Sequence, residues 1–284
     1  MKEYDLAFGM GFSCGASTAL RAAGLQYASF PFDWLSVPSV LSAARLVESD
    51  FVNWFDAEDL ELCDVVRKGW MYARVYRNRR TRFGFPHDFG GNDDFSACYP
   101  RVRDKYERRI RRFYESMRKS RRVLVVCLEL PVGEPEPRAD LVEARRILSA
   151  KFPQVQVDIQ HFHLPGHPGG LHDELIADGI RSTAVDYGVR KHGVLTHNVN
   201  GTEIVRFLRA NYSVTDLRTA EERVAFAERK RAERLSRWGE SALQRCVNRF
   251  AYGLYRRLEA FLADRRVLPQ ETEQWMWGPE TNYR

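Results

Sequence analysis

The sequence predicts an α/β fold, a mostly parallel sheet flanked by helices, and three observations carry that reading. Residues 123–130, VLVVCLEL, form a near-continuous apolar run, the pattern of a strand covered on both faces. A helical pattern over 139–151 and a strand pattern over 154–160, QVQVDIQ, follow and complete a β-α-β unit. Such a unit pairs its strands in parallel through a right-handed crossover. Near the start, the apolar stretch YDLAF at 4–8 runs through Gly9 and Gly11 into a helical segment, the strand–turn–helix order of the same class.

The other elements follow from periodicity and punctuation. Over 14–23, Ala16, Ala19, Leu20 and Ala23 share one helical stripe, and Gly24 suits the left-handed residue that closes a helix. A second helix is predicted over 37–48, with Ser36 as N-cap and Pro38 in the first turn. Aromatic and β-branched residues alternate with basic ones over 70–85, which reads as an inserted β-hairpin turning at 78–80. That leaves PHDFGGNDD, 86–94, on the loop beyond it. Tyr106, Ile110, Phe113, Tyr114 and Met117 give a helix over 99–119 with an arginine-rich outer surface. Residues 161–201, rich in His, Gly and Pro, read as a long loop with one short strand at 193–196. From 216 almost to 266 the pattern is helical again, so the chain divides into an α/β unit, 1–215, and a C-terminal helical appendage, 216–284, packed on it.

Composition narrows the class. Of 284 residues, 44% are hydrophobic and 29% charged, ordinary values for a water-soluble globular chain with a full core. No apolar run approaches a membrane span, and the N-terminus has no signal-peptide pattern, which predicts a cytoplasmic protein. Cys14, Cys63, Cys98, Cys127 and Cys246 are odd in number and widely spaced, without a C-x-x-C, so neither a disulfide framework nor a zinc ribbon is expected. The net charge of +6 sits in helical arginine runs with no recognised nucleic-acid motif beside them, which argues against nucleic acid as the partner.

The chemistry of the first turn centres on Cys14. A thiol becomes a nucleophile when it loses its proton, and a helix N-terminus favours the thiolate through its unpaired N–H groups and partial positive charge. The N–H groups of Cys14, Gly15 and Ala16 would also lie near the oxyanion formed by attack on a carbonyl, the small Gly15, Ala16 and Ser17 leave space, and Gly11, Ser13 and Gly15 are the candidates in the turn to bind a substrate. The competing role for Cys14 is a small buried residue at a strand–helix junction. Acyl transfer needs a base and a group that orients it. His87, between Pro86 and Asp88, is the best-placed histidine, and Asp33, Asp88, Asn92 and Asp93 are the candidates to orient it. Asp33 lies in FPFDWL between aromatic neighbours, where a charge requires a partner. Arg21 and some of Arg108–Arg112 are candidates to line the approach of an acidic substrate.

The segments SCGASTALRAAGL and SFPFDWL, then FPHDF, then YERRIRRF ahead of VLVVCLEL, resemble in that order the bacterial family described as putative papain-like cysteine peptidases. The resemblance covers about 4–130, extends more faintly toward 210, and implies Cys14 as nucleophile and His87 as base, with Asp33 or Asp88 completing the set. No cofactor is expected, the substrate class is open between acidic and peptidic, and the resemblance says nothing of the region beyond 216.

Three other readings compete. Gly9-x-Gly11 between strand and helix partly mimics a nucleotide-binding turn, although Cys14 stands where its third glycine belongs. An enzyme of sugar-nucleotide and glycan metabolism would use it so. His161, His163, His167 and His172 crowd HFHLPGHPGGLH and could hold a metal ion, although their spacing matches no named motif. The basic helix and the C-terminal helices could instead make a non-catalytic interaction protein or a homodimer.

Overall fold

The computed structural model describes residues 1–11, 14–68, 71–90, 94–129, 136–163, 174–185, 188–191, 194–197 and 203–239. In chain order they form β1 (Lys2–Tyr4), β2 (Leu6–Gly9), α1 (Gly15–Ala23), α2 (Val40–Glu48), β3 (Leu60–Lys68), β4 (Met71–Asn78) and β5 (Gly84–Gly90). There follow α3 (Phe95–Lys119), β6 (Arg122–Leu128), α4 (Arg138–Lys151), β7 (Gln156–His163), β8 (Glu174–Ala177) and β9 (Ile180–Ala184). The series ends with β10 (Gly188–Lys191), β11 (Val194–His197), α5 (Glu203–Asn211), β12 (Tyr212–Val214) and α6 (Ala220–Gly239).

The α/β class holds. The main sheet has the order β2-β6-β7-β9-β8, parallel through β9, with β8 antiparallel on its edge. Alternation along β6 sends Val123, Val125 and Cys127 to one face and Leu124, Val126 and Leu128 to the other, so both faces are covered. On the first face Leu6 and Phe8 join α2, α3, α4 and the aromatic side of the β3–β5 sheet. On the second, α1 and α5 pack against the sheet, with Tyr4 and Tyr212 from the parallel β1–β12 pair at its margin. No helix among the described residues is long and apolar enough to cross a membrane.

Several boundaries differ from the sequence reading. The inserted hairpin is a three-stranded antiparallel sheet, β3-β4-β5. Its first strand exposes Leu62 and Val65 and so lacks a hidden face to betray it. The predicted loop 86–94 begins inside β5, which carries Pro86, His87 and Asp88. Ser39 rather than Ser36 caps α2, accepting from the Ser42 N–H at 3.0 Å, while Ser36 bridges to Gly84. Asp94 caps α3, one turn before the expected start, with Pro100 inside the helix. The expected loop from 161 contains the end of β7 and β8 to β11. Gly24 closes α1 as expected, at φ 79°. Helix α6 accounts for the first part of the predicted C-terminal helical region, and residues 240–284 lie outside the described residues.

Candidate active site

Cys14 stands where β2 hands over to α1. Its backbone is already helical, at φ −59° and ψ −7°, and its carbonyl accepts the Thr18 N–H at 2.9 Å. The first-turn N–H groups therefore open beside Cys14, which stands at the N-cap of α1. The residue is half-buried and is not disulfide-bonded. The glycines before it serve close approach. A Cβ on Gly9 would come within 2.9 Å of the Ala16 Cβ, and one on Gly11 within 2.6 Å of the Leu128 N. Gly9 thus lets α1 settle on its strand, and Gly11 lets the turn cross the end of β6. That packing accounts for the pair without a phosphate. Gly15 opens α1, and Ser13 lies outside the described residues.

Asp33 is wholly buried and is addressed by four donors. Ser17 Oγ reaches one oxygen at 2.6 Å, while Gln26 at 2.8 Å, the Phe30 N–H at 3.0 Å and Arg21 at 3.1 Å reach the other. Since Ser17 and Arg21 are on α1, this carboxylate fastens the FPFDWL segment to the helix that Cys14 begins. The next residue, Trp34, adopts φ 71°, rare for a bulky side chain. The Arg21 guanidinium lies 5.4 Å from its ring centre, and the His87 ring meets it edge-on at 6.1 Å. Trp34 thereby joins the helix of Cys14 to the strand of His87.

His87 is exposed on β5, and Asp88 beside it is turned inward. The Asp88 carboxylate touches Lys105 and accepts from Tyr106 at 2.5 Å, both on α3. Burial, with Arg109 and Arg108 nearby, pushes the Lys105 ammonium down to about 7, against the pull of the Asp88 carboxylate it contacts. Lys105 and Tyr106 escaped the sequence reading because they sit among ordinary surface and core positions of a long helix. Three of the arginines expected to line a substrate's approach donate hydrogen bonds within the fold, two of them to backbone carbonyls. Arg21 also donates to Ser29 at 2.7 Å, Arg109 to the Asp33 carbonyl at 3.1 Å and Arg112 to the Ser29 carbonyl at 2.7 Å.

Of the four clustered histidines, two lie among the described residues. His161 and His163 are buried on β7, each with Nδ1 on Ser182 Oγ, at 2.9 and 3.0 Å. His167, His172, Asn92 and Asp93 lie outside the described residues. Among the described residues no group of three or more His, Cys, Asp or Glu is arranged to hold a metal ion.

No curated protein and no solved structure matches the chain. Residues 5–130, which carry Cys14, the Asp33–Trp34 segment, His87 and helix α3, match the model of a family described as "Putative papain-like cysteine peptidase (DUF1796)".

Proposed function

We propose that the protein is a thiol-dependent acyl hydrolase or transferase of the cysteine-peptidase type, with Cys14 as nucleophile and His87 as base. The observation that carries the reading is Trp34, which contacts the His87 ring and the Arg21 guanidinium of the Cys14 helix at once. In this reaction the Cys14 thiol gives its proton to the His87 imidazole, and the sulfur bonds to the acyl carbon. Charge gathers on the carbonyl oxygen, where the first-turn N–H groups of α1 can stabilise it. The imidazolium returns the proton to the leaving group, and water or an acceptor then cleaves the thioester. Asp33 fixes the segment that bears Trp34 and so acts on the geometry from a distance.

Alkylation of Cys14 by iodoacetamide across pH tests this. Wild-type thiolate formation is expected to titrate well below the free-thiol value of about 8.5, and His87→Ala to return it toward that value. A thiol titrating at or above about 8.5, indifferent to His87→Ala, would rule the reading out.

A further inference from the structure

Away from the Cys14 turn, α3 and the start of α6 enclose a cavity of about 290 Å³ over Tyr27 and Ala28. Its volume is at the lower end of the range for small-molecule sites. Arg112, Ser116 and Lys119 line it from α3, and Glu222, Phe226 and Arg229 line it from α6. Both sets keep the i, i+4, i+7 spacing that puts side chains on one helical stripe. Ala28, Leu217 and Ala225 give the lining an apolar part.

The charges of this lining do not all cancel in pairs. Asp216 holds Arg218 at 2.6 and 2.8 Å, and Glu222 accepts from Lys119 at 2.7 Å. Glu222, with Glu115 adding to it, holds the Lys119 ammonium above its usual range. Asp5 accepts the N–H groups of Arg121 and Arg122 at 2.7 and 2.9 Å. Two cations remain. Arg112 donates to the Ser29 carbonyl at 2.7 Å, and the Arg229 guanidinium lies 5.6 Å from the Phe226 ring centre. A carbonyl and a ring face carry no full charge, so neither arginine meets a carboxylate among the described residues. Burial, with Arg229, Arg109 and Arg108 close by, pushes the Arg112 guanidinium down. Like charges held beside one cavity repel each other, and an anion between them removes that cost.

We infer that this cavity binds a small organic phosphate monoester, its phosphate on Arg112 and Arg229 and its organic group against Ala28, Leu217 and Ala225. Such an ester carries about −1.5 to −2 charge at pH 7, which matches two guanidiniums, and its oxygens suit their forked donors. A carboxylate would answer only one of them. The hydroxyls of Tyr27 and Ser116, 3.4 Å apart, add neutral donors. Cys14, Trp34 and His87 are not in the lining, so the site does not depend on the thiol chemistry proposed above.

Isothermal titration of the full chain with phenyl phosphate at physiological salt tests this, with benzoate and inorganic phosphate for comparison. Phenyl phosphate is expected to bind with a Kd below about 1 mM, and the other two at least about tenfold more weakly. Arg112→Gln and Arg229→Gln should each weaken it at least about tenfold, the loss of a hydrogen bond to a charged group. Arg229 is exposed, so its variant is expected to fold even if Arg112→Gln does not. Arg118→Gln, on α3 but outside the lining, should leave binding unchanged. Bound phenyl phosphate should also slow amide exchange over Ala220–Arg229, while β6 and β7 exchange as before. Binding that survives Arg229→Gln, or that falls equally in Arg118→Gln, would overturn the site. Equal binding of benzoate would overturn the phosphate, and equal binding of inorganic phosphate the organic group. No binding of phenyl phosphate at up to about 10 mM would overturn the inference outright.

Discussion

Asp33 is fully buried, and its two oxygens are met by a hydroxyl, an amide, a backbone N–H and a guanidinium. Its sequence context, a carboxylate between Phe32 and Trp34, already required a partner, and Arg21 is that partner. A different balance holds at Glu136, whose carboxyl is pushed up to about 7, chiefly by burial, with Asp140 and Glu129 adding to the rise. The Val40 N–H, donating to it at 3.0 Å, offsets part of the effect. A raised carboxyl binds a proton in the folded chain that the unfolded chain has released, so stability falls as pH rises from 4.5 toward about 7. Glu136→Gln keeps an oxygen for Val40 and removes the ionisation. Urea unfolding is expected to show the variant losing that pH slope and exceeding the wild type by about 3 kcal/mol at pH 8. Equal slopes in the two proteins would show that Glu136 ionises normally in the fold.

At the scale of elements, the strand–turn–helix unit shows what the sequence made legible. Its glycines were visible as a turn, but a turn for phosphate and a turn for close packing look alike in a chain of letters. The neighbours distinguish them, and for Gly11 those come from Cys127 and Leu128, more than a hundred residues away. Gly11→Ala would set a Cβ 2.6 Å from the Leu128 N, a backbone atom that cannot swing aside, whereas Gly90→Ala meets nothing within 4 Å. The first substitution is expected to cost about 3 kcal/mol and the second under about 0.5 kcal/mol, measured as shifts of the urea midpoint. Equal costs would mean that the turn moves freely over β6. The same limit hid other pieces. β6, α4 and β7 were legible because they are apolar on both faces or periodic on one. β3 exposes Leu62 and Val65 and so gives no strand pattern to read, while the PHD of β5 carries a proline and precedes two glycines, which reads as a loop. His161 and His163 were assigned to a loop because a buried polar residue at a strand end leaves no hydrophobic signal. Cys14, Asp33 and His87 could be singled out in advance, but the hydrogen bonds of Asp33 and Asp88 to α1 and α3 could not.

Across the whole molecule, the chain closes on itself at two distant places. β1 pairs in parallel with β12, setting Lys2 beside Tyr212, a contact that no local pattern announces. Helix α6 then returns over α3. It starts with a reciprocal cap, in which the Thr219 hydroxyl accepts the Glu222 N–H at 3.2 Å and Glu222 accepts the Thr219 N–H at 2.9 Å. Lys119 of α3 donates to Glu222 at 2.7 Å, but both side chains are about half exposed, so this pair contributes little. Arg218 contributes more. Asp216 holds its guanidinium at 2.6 and 2.8 Å, and that plane lies 4.3 Å from the Tyr27 ring centre and 4.9 Å from that of Phe226. Arg218→Ala removes the ion pair and both stacking contacts, each worth up to about 1–2 kcal/mol when partly desolvated. None of these contacts reaches the main sheet. Amide hydrogen exchange over Ala220–Arg229 is therefore expected to quicken by roughly tenfold, while β6 and β7 exchange as before. A change spread evenly over sheet and helix would instead make α6 part of one cooperative unit with the α/β core.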